Sequence, residues 1–346
     1  MNKLDKAIIR LDAGSFYGLG HLSRCISIIN EANVGRFLFL IKTDNEIVIL
    51  DFLEKNFKNP FEVFFFTDDL TVDDEIKLIL FHYKSGDLLI IDHYKADEDY
   101  QKKLFDKDVE WLQLDSHAKI NFYAKWVMHG SPGATKELYK PLRKNKETEF
   151  LLGPKYCIIK DKVLNLANSR RTRNSLSKVV ICFGGGDDRE ATIKCIESID
   201  FESLGYYIKF RISISSYNKD YNKILSYQTR GFIELIEPED LHLYMKDADL
   251  VLAAPGMISY EAAFLGLPMI LITIADNQLI NANAWEKYGC AINIGTVQDT
   301  HLNLNIVLSQ LYKSPEKLQS MSENCLKLVD GKGVKRIIKK ITKTIK

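Results

Sequence analysis

The strongest constraint on the fold is an alternation that runs along the chain twice. Short apolar runs rich in β-branched residues and bounded by turn signals alternate with longer helical patterns. In the first half the runs fall at 7–11, 37–41, 63–66, 88–92, 109–114 and 125–128, and the helical patterns at 21–30, 47–55, 74–83 and 97–107. Leu88-Leu89-Ile90-Ile91 has no polar residue in alternation. Both of its faces must therefore be covered, as in a parallel sheet flanked by helices. The alternation lapses at about 164–177, where Asn168-Ser169-Arg170-Arg171-Thr172-Arg173-Asn174-Ser175 reads as a linker. It then resumes, with strands at 179–183, 209–214, 232–236, 250–253, 269–274 and 291–294. Helices fit at 189–199, 240–246, 258–265, 279–288, 302–311 and 315–328. Two such series predict an α/β protein of two doubly wound, Rossmann-like domains, each taking ligand beyond the carboxyl ends of its strands.

Composition narrows the partners. The 47 Lys and Arg against 46 Asp and Glu leave a formal charge of +1, without the basic excess that nucleic-acid binding usually requires. The basic segment 332–346 places Val334, Ile337, Ile338 and Ile341 on one helical face, so its lysines read as a solvated face at a helix C-terminus. Cys25, Cys157, Cys182, Cys195, Cys290 and Cys325 are scattered without metal-ligand spacing, which predicts reduced, mostly buried thiols and no metal site. No leader pattern precedes the first run, and no apolar stretch has membrane-spanning length. A cytoplasmic protein with no stable membrane insertion is expected.

Four segments put polar residues where strands end. In the first, strand 7–11 runs into Asp12-Ala13-Gly14-Ser15-Phe16-Tyr17-Gly18-Leu19-Gly20-His21, with a helix beginning near His21. The positive end of that helix favours a neutral imidazole able to take a proton, although a capping or packing role fits His21 equally well. Gly18, Gly20 and Ser23 do not complete the Gly-x-Gly-x-x-Gly dinucleotide pattern, which argues against an oxidoreductase. In the second, Asp92-His93-Tyr94 ends a strand, and Asp115-Ser116-His117 repeats the theme at the next; each is also readable as a turn. In the third, Gly184-Gly185-Gly186-Asp187 lies between a strand and a helix and offers backbone amides to phosphate. In the fourth, Pro255-Gly256-Met257-Ile258-Ser259-Tyr260-Glu261 does the same, with Asn277 and Gln278 after the following strand. Two such helix starts in one domain suit a diphosphate held between them, and Glu261 suits a ribose diol.

Taken in order, these pieces resemble the UDP-sugar hydrolase family of pseudaminic acid biosynthesis, which is related to the lipid-II-forming N-acetylglucosaminyltransferases. The matching residues are Asp12, Gly18-x-Gly20-His21-x-x-Arg24-Cys25, Asp92-His93-Tyr94, Leu152-Gly153-Pro154-x-Tyr156, Phe183-Gly184-Gly185-x-Asp187, Gly256 with Ser259-x-Glu261, Leu265-Gly266-x-Pro268, Asn277-Gln278 and Asp330-Gly331-x-Gly333. The resemblance implies a GT-B fold with a cleft between its domains. It implies a sugar-side domain at 1–165, a nucleotide-binding domain at 166–330 and a helix at 331–346 crossing back to the first. It implies that water attacks the anomeric carbon of a UDP-linked 2,4-diacetamido-2,4,6-trideoxyhexose with inversion. His21 would be the general base, with Asp12, Tyr94 and Asn277 as catalytic partners. Gly184, Gly185, Asp187, Gly256, Ser259 and Glu261 would hold UDP. Gly18, Gly20, Arg24, Asp92, His93 and Gln278 would contact the sugar, with no cofactor and no metal.

The chain departs from the family in four places. It has Asp115-Ser116-His117 where the family carries paired aspartates, and Met128-His129-Gly130-Ser131-Pro132-Gly133-Ala134 replaces an Asn-rich segment. Phe16 and Tyr17 enlarge the loop before His21, and Pro255 precedes the nucleotide-loop glycine. The first three bear on the identity of the sugar. An inverting GT-B glycosyltransferase for a surface polysaccharide is the alternative function, since His21 would serve equally as base for an acceptor hydroxyl. A non-catalytic nucleotide-sugar-binding protein is the third.

Overall fold

The computed structural model describes residues 4–14, 17–66, 70–184, 188–204, 207–275 and 278–344. The chain forms two compact units, the first made of 1–160 and 332–346, the second of 161–331.

In the first unit the chain runs β1 (Leu4–Asp12), α1 (Gly20–Asn30), β2 (Val34–Lys42), α2 (Glu46–Asn56), β3 (Phe61–Phe66), α3 (Val72–His82), β4 (Leu88–Asp92) and α4 (Glu98–Phe105). It continues with β5 (Trp111–Leu114), β6 (Trp126–His129), the single turn α5 (Lys136–Tyr139) and β7 (Glu149–Leu152). The seven strands are parallel in the order β3-β2-β1-β4-β5-β6-β7. The order reverses between β1 and β4, the kind of position where such sheets take ligands. Strand alternation divides the core. Ala7, Ile9 and Leu11 of β1 and Leu88 and Ile90 of β4 pack with α1 and α2, whereas Ile8, Leu89 and Ile91 pack with α3 and α4. Local chemistry sets the helix starts: Asn45, Thr71 and Asp97 accept the amides of Val48, Asp74 and Tyr100 at 3.2, 3.2 and 2.9 Å.

The second unit opens with the turn α6 (Asp161–Leu164), then β8 (Lys178–Cys182), α7 (Ala191–Ser198), α8 (Phe201–Leu204), β9 (Lys209–Ser213), α9 (Tyr221–Thr229), β10 (Ile233–Ile236) and α10 (Leu241–Asp247). There follow β11 (Leu250–Ala253), α11 (Met257–Phe264), β12 (Met269–Thr273), α12 (Leu279–Lys287), β13 (Ala291–Thr296), α13 (Thr300–Tyr312) and α14 (Pro315–Leu328). Its six strands are parallel in the order β10-β9-β8-β11-β12-β13, reversing between β8 and β11. The chain then returns to the first unit as α15 (Gly333–Thr344), which buries Val334, Ile337, Ile338 and Ile341 in the core beside α1. Each such side chain contributes about 1.5–3 kcal/mol. Gly333 permits this, because a Cβ there would stand 2.0 Å from the Cys157 carbonyl oxygen.

Three sequence expectations are corrected. β7 and α9 form where no regular element is expected. The polar stretch at 164–177 is no linker. It belongs to the second unit, where Arg170 donates to the carbonyls of Phe264, Leu326 and Val329 at 2.7, 3.1 and 2.9 Å. Fully buried Arg173 donates to those of Ala248, Lys246, Arg171 and Leu265. The two guanidinium groups thus fill orphan carbonyls at the C-terminal ends of α10, α11 and α14, where the negative end of each helix also favours a cation. All six cysteines are buried thiols. Among the described residues, no helix is long and apolar enough to cross a membrane.

Candidate functional site

His21 is the second residue of α1, and it meets Asp92, the last residue of β4. Its Nδ1 lies 2.7 Å from Asp92 Oδ1. Arg24, one helical turn on, clasps the same carboxylate through Nε at 2.5 Å and through Nη2. Cys25 adds a weak contact at 3.7 Å. Asp92 is 1% exposed. Burial pushes its carboxyl upward, but the Arg24 and His21 charges and their hydrogen bonds outweigh that and hold it at about 2. An ionised carboxylate only accepts, so in its neutral form the His21 ring carries its proton on Nδ1 and leaves Nε2 with a lone pair. Arg24 Nη2 stands 3.2 Å from the same Nδ1, a contact of two donors and therefore no hydrogen bond. Tyr94, 65% exposed, packs its ring edge-on to His21 at 5.0 Å and tilts against His117 at 5.2 Å.

The depressed Asp92 carboxyl makes stability pH-dependent. Its folded value lies below the usual 3.8, so it stabilises the fold above pH 4, and that contribution disappears as the pH falls from about 4 to 2. The size is on the order of 2 kcal/mol. In urea unfolding measured across this range, Asp92→Asn should be less stable at pH 7 yet lose less stability on acidification. An unchanged acid slope would contradict the assignment.

Asp12 and His93 do not join this group. Successive residues of extended backbone face opposite sides, so Asp92, the last residue of β4, turns towards α1 and His93, just beyond it, towards α3 and α4. The His93 side chain is wholly buried against Tyr100, ring centroids 5.1 Å apart, and 3.7 Å from Glu75. Burial first, then the charges of Arg10 and His21, keep its ring neutral. Asp12 likewise accepts from Arg10 at 2.6 Å, and Arg10 forks onto Glu75 at 2.7 and 2.8 Å, with Tyr100 donating to Glu75 at 2.5 Å. These form a buried ionic network under the sheet edge. His93 is thereby corrected from a sugar contact to a core residue.

A second histidine group stands further along the same edge, at the ends of β5 and β6. Tyr139 of α5 donates to Asp115 Oδ2, and His129 Nδ1 lies 2.6 Å from the same phenolic oxygen. Burial overrides the opposing pull of Asp115 and, with the smaller effects of the Arg24 and His117 charges, brings His129 down to about 4, so it is neutral at pH 7. In the sequence Asp115 stands out as a strand-end residue and as a departure from the family, and His129 as a departure alone; Tyr139 carries no signal because ten residues separate it from His129.

In the second unit the two helix starts differ. α7 begins at Ala191, beyond the glycines, and Asp188 caps it by accepting the amides of Glu190 and Thr192 at 3.1 Å each. A carboxylate of the chain itself thus occupies the anion position, which corrects the expectation of two open helix starts. α11 remains open. Among the described residues nothing accepts from the amides of Met257 and Ile258, while Ser259 turns its hydroxyl back to the Gly256 carbonyl at 2.6 Å. Asn281 of α12 braces this loop, donating to the Pro255 carbonyl at 3.2 Å. Gly184 has φ +105°, a conformation that requires glycine. Gly256 has φ −106°, and a Cβ there would meet nothing within 4 Å. Neither strain nor internal packing accounts for that glycine. Glu261 is buried in the second turn of α11. Gln278 braces its loop by accepting the Ile274 amide at 3.0 Å. Gly18 and Gly20 border the His21 turn, with open space where their Cβ atoms would be. Gly185, Asp187 and Asn277 lie outside the described residues. No group of three His, Cys, Asp or Glu converges as metal ligands among the described residues.

Comparison with known proteins places this geometry in context. MJ1062 of Methanocaldococcus jannaschii, itself uncharacterized, is 27% identical over 308 residues, 86% of this chain and 60% of that protein. The Helicobacter pylori pseudaminic acid cytidylyltransferase and UDP-2,4-diacetamido-2,4,6-trideoxy-beta-L-altropyranose hydrolase is 22% identical over 301 residues, 85% of this chain and 50% of that protein. The chain therefore spans about half to three-fifths of the length of these two relatives. Among solved structures, MurG of Acinetobacter baumannii superimposes with a TM-score of 0.64 at 12% identity, covering 98% of this chain and all of that one. The UDP-GlcNAc 2-epimerase of Neisseria meningitidis bound to UDP-GlcNAc does so at 0.62 and 13%, with the same coverage. Those likenesses establish the fold, two parallel-sheet units of the GT-B class. Residues 165–341, just over half of the chain, match the glycosyltransferase family 28 C-terminal domain, and the chain belongs to that family.

Proposed function

We propose that the protein hydrolyses a UDP-linked 2,4-diacetamido-2,4,6-trideoxyhexose to UDP and the free sugar, for nonulosonic acid synthesis of the pseudaminic type. The observation that carries this reading is the His21–Asp92–Arg24 arrangement, in which the Asp92 carboxylate holds Nδ1 of the imidazole and leaves Nε2 as the ring atom able to take a proton. Water's oxygen bonds to the anomeric carbon as the bond from that carbon to the UDP oxygen breaks, and the water proton passes to His21 Nε2. A single displacement inverts the anomeric centre. The open amides and positive end of α11 suit the departing diphosphate, Gly256 allows it close approach, and Glu261 suits the ribose. The name of the Helicobacter pylori relative and the UDP-GlcNAc held by the Neisseria meningitidis epimerase agree with this substrate class.

Membership of a glycosyltransferase family favours one second reading, in which an acceptor hydroxyl replaces water at the same base. The two separate on one measurement, UDP release from UDP-diacetamido sugars without acceptor. Stoichiometric UDP and free sugar support hydrolysis; binding without release until an acceptor hydroxyl is added replaces it with transfer. Gly256→Ala tests the nucleotide site. Its stability should change by less than about 1 kcal/mol, because the new methyl meets nothing. UDP affinity by calorimetry should fall about tenfold or more, since the methyl intrudes where phosphate approaches. Unaltered affinity would move the diphosphate away from α11.

A further inference from the structure

The His21 group leaves the histidine at the end of β6 unused. Tyr139 has one proton and gives it to Asp115, so the contact between Tyr139 and His129 needs its proton from Nδ1 of the ring. The neutral ring then bears a lone pair on Nε2, held in one orientation by a phenol that is itself fixed by a carboxylate. Among the described residues nothing bonds to Nε2, although 12% of the side chain remains exposed. An acceptor so fixed, without a donor in the chain, is suited to a donor from outside. Its position fits a sugar site. β4, β5 and β6 are neighbours, so the end of β6 lies about 10 Å from the end of β4 that holds His21, a span of the order of one substituted sugar. Tyr94 and His117 continue the polar edge from His21 towards this group.

Resting on the proposal that the first unit binds the sugar of a UDP-sugar, we propose that His129 Nε2 accepts a hydrogen bond from a hydroxyl or amide N–H of that sugar. Asp115 and Tyr139 act as positioning residues that fix its tautomer, and the group selects sugars that offer a donor there.

Two substitutions separate this from a structural role. His129→Asn retains an amide near the Nδ1 position to meet Tyr139 but removes the outward acceptor; His129→Gln carries a carbonyl oxygen outward to where Nε2 stood. Calorimetry would compare UDP with UDP-glucose, UDP-N-acetylglucosamine and a UDP-diacetamido sugar. His129→Asn should weaken the UDP-sugar that uses the contact about tenfold, leave UDP unchanged, and be restored within about threefold by His129→Gln. Loss with UDP-glucose assigns a hydroxyl; loss confined to the acetamido sugars assigns an amide N–H. If the wild type gains nothing from any sugar over UDP, the UDP-sugar reading fails and this inference falls with it. If the wild type gains and His129→Asn keeps the gain, or if both variants lose UDP as well, only the role of His129 is overturned.

Discussion

Replacing His21 with alanine is expected to lower turnover of the UDP-sugar by about 10²–10⁴-fold, the range contributed by a positioned general base. The loss should fall on kcat, with KM little changed, because the proposed nucleotide contacts belong to the second unit and the base acts on water in the transition state. Asp92→Asn should follow, with a loss of at least about 10²-fold. The asparagine amide can donate, so it no longer dictates that the Nδ1 of His21 carries the proton, and it leaves the Arg24 charge without its carboxylate. Single-turnover measurements with both variants would separate chemistry from product release. If His21→Ala keeps more than a tenth of wild-type kcat, the base lies elsewhere. The same loss in transfer to an acceptor would leave His21 in its role and change only the nucleophile.

Much of this was legible in the sequence, and the limits have physical causes. The apolar runs gave the strands because parallel strands covered on both faces leave no doubt about burial; the run read at 88–92 is β4 itself. β7 escaped because Glu149-Phe150-Leu151-Leu152 is short and begins with a charge. His21 was legible as a residue at the carboxyl edge of the sheet, since a glycine loop leads into a helix start; the base role proposed for it rests on the family resemblance. Asp92 was read as a sugar contact, and its role in orienting His21 emerged only when folding joined positions 71 residues apart. His93 shows a signal present but unused: it follows directly on the last residue of β4, and extended backbone turns successive side chains to opposite faces, so it and Asp92 cannot both face α1. Asp188 was legible in kind, as an acidic residue just ahead of a helix, but the glycines beside it drew the reading towards phosphate. The arginine-rich stretch at 164–177 was opaque for a different reason. Its partners are backbone carbonyls at helix ends 73 to 159 residues away, and a carbonyl carries no sequence signature.

Arg173 is accordingly where the largest loss of stability is expected. Its side chain is fully buried, and burial draws its pKa down to about 10, so it remains charged at neutral pH. Among the described residues no carboxylate clasps it directly; the charge is held by carbonyl dipoles of Ala248, Lys246, Arg171 and Leu265, while its own amide donates to Ser322 at 3.0 Å. Arg173→Ala removes every side-chain donor at once. It strands carbonyls at the ends of α10 and α11 and opens a cavity between them. With each stranded group costing about 1–3 kcal/mol, a total loss of about 4–5 kcal/mol is expected after partial relaxation and water entry. That is a large share of the roughly 5–15 kcal/mol that holds a domain. Arg173→Met should lose nearly as much, since it refills the volume without donors. Arg173→Lys should lose about half, because a single ammonium cannot reach carbonyls in several directions. Hydrogen exchange would localise the effect, with protection falling across β11 and α11 while β1 and β4 keep theirs. A methionine variant as stable as the wild type would mean that packing alone secures this segment, and the guanidinium–carbonyl account would have to be abandoned.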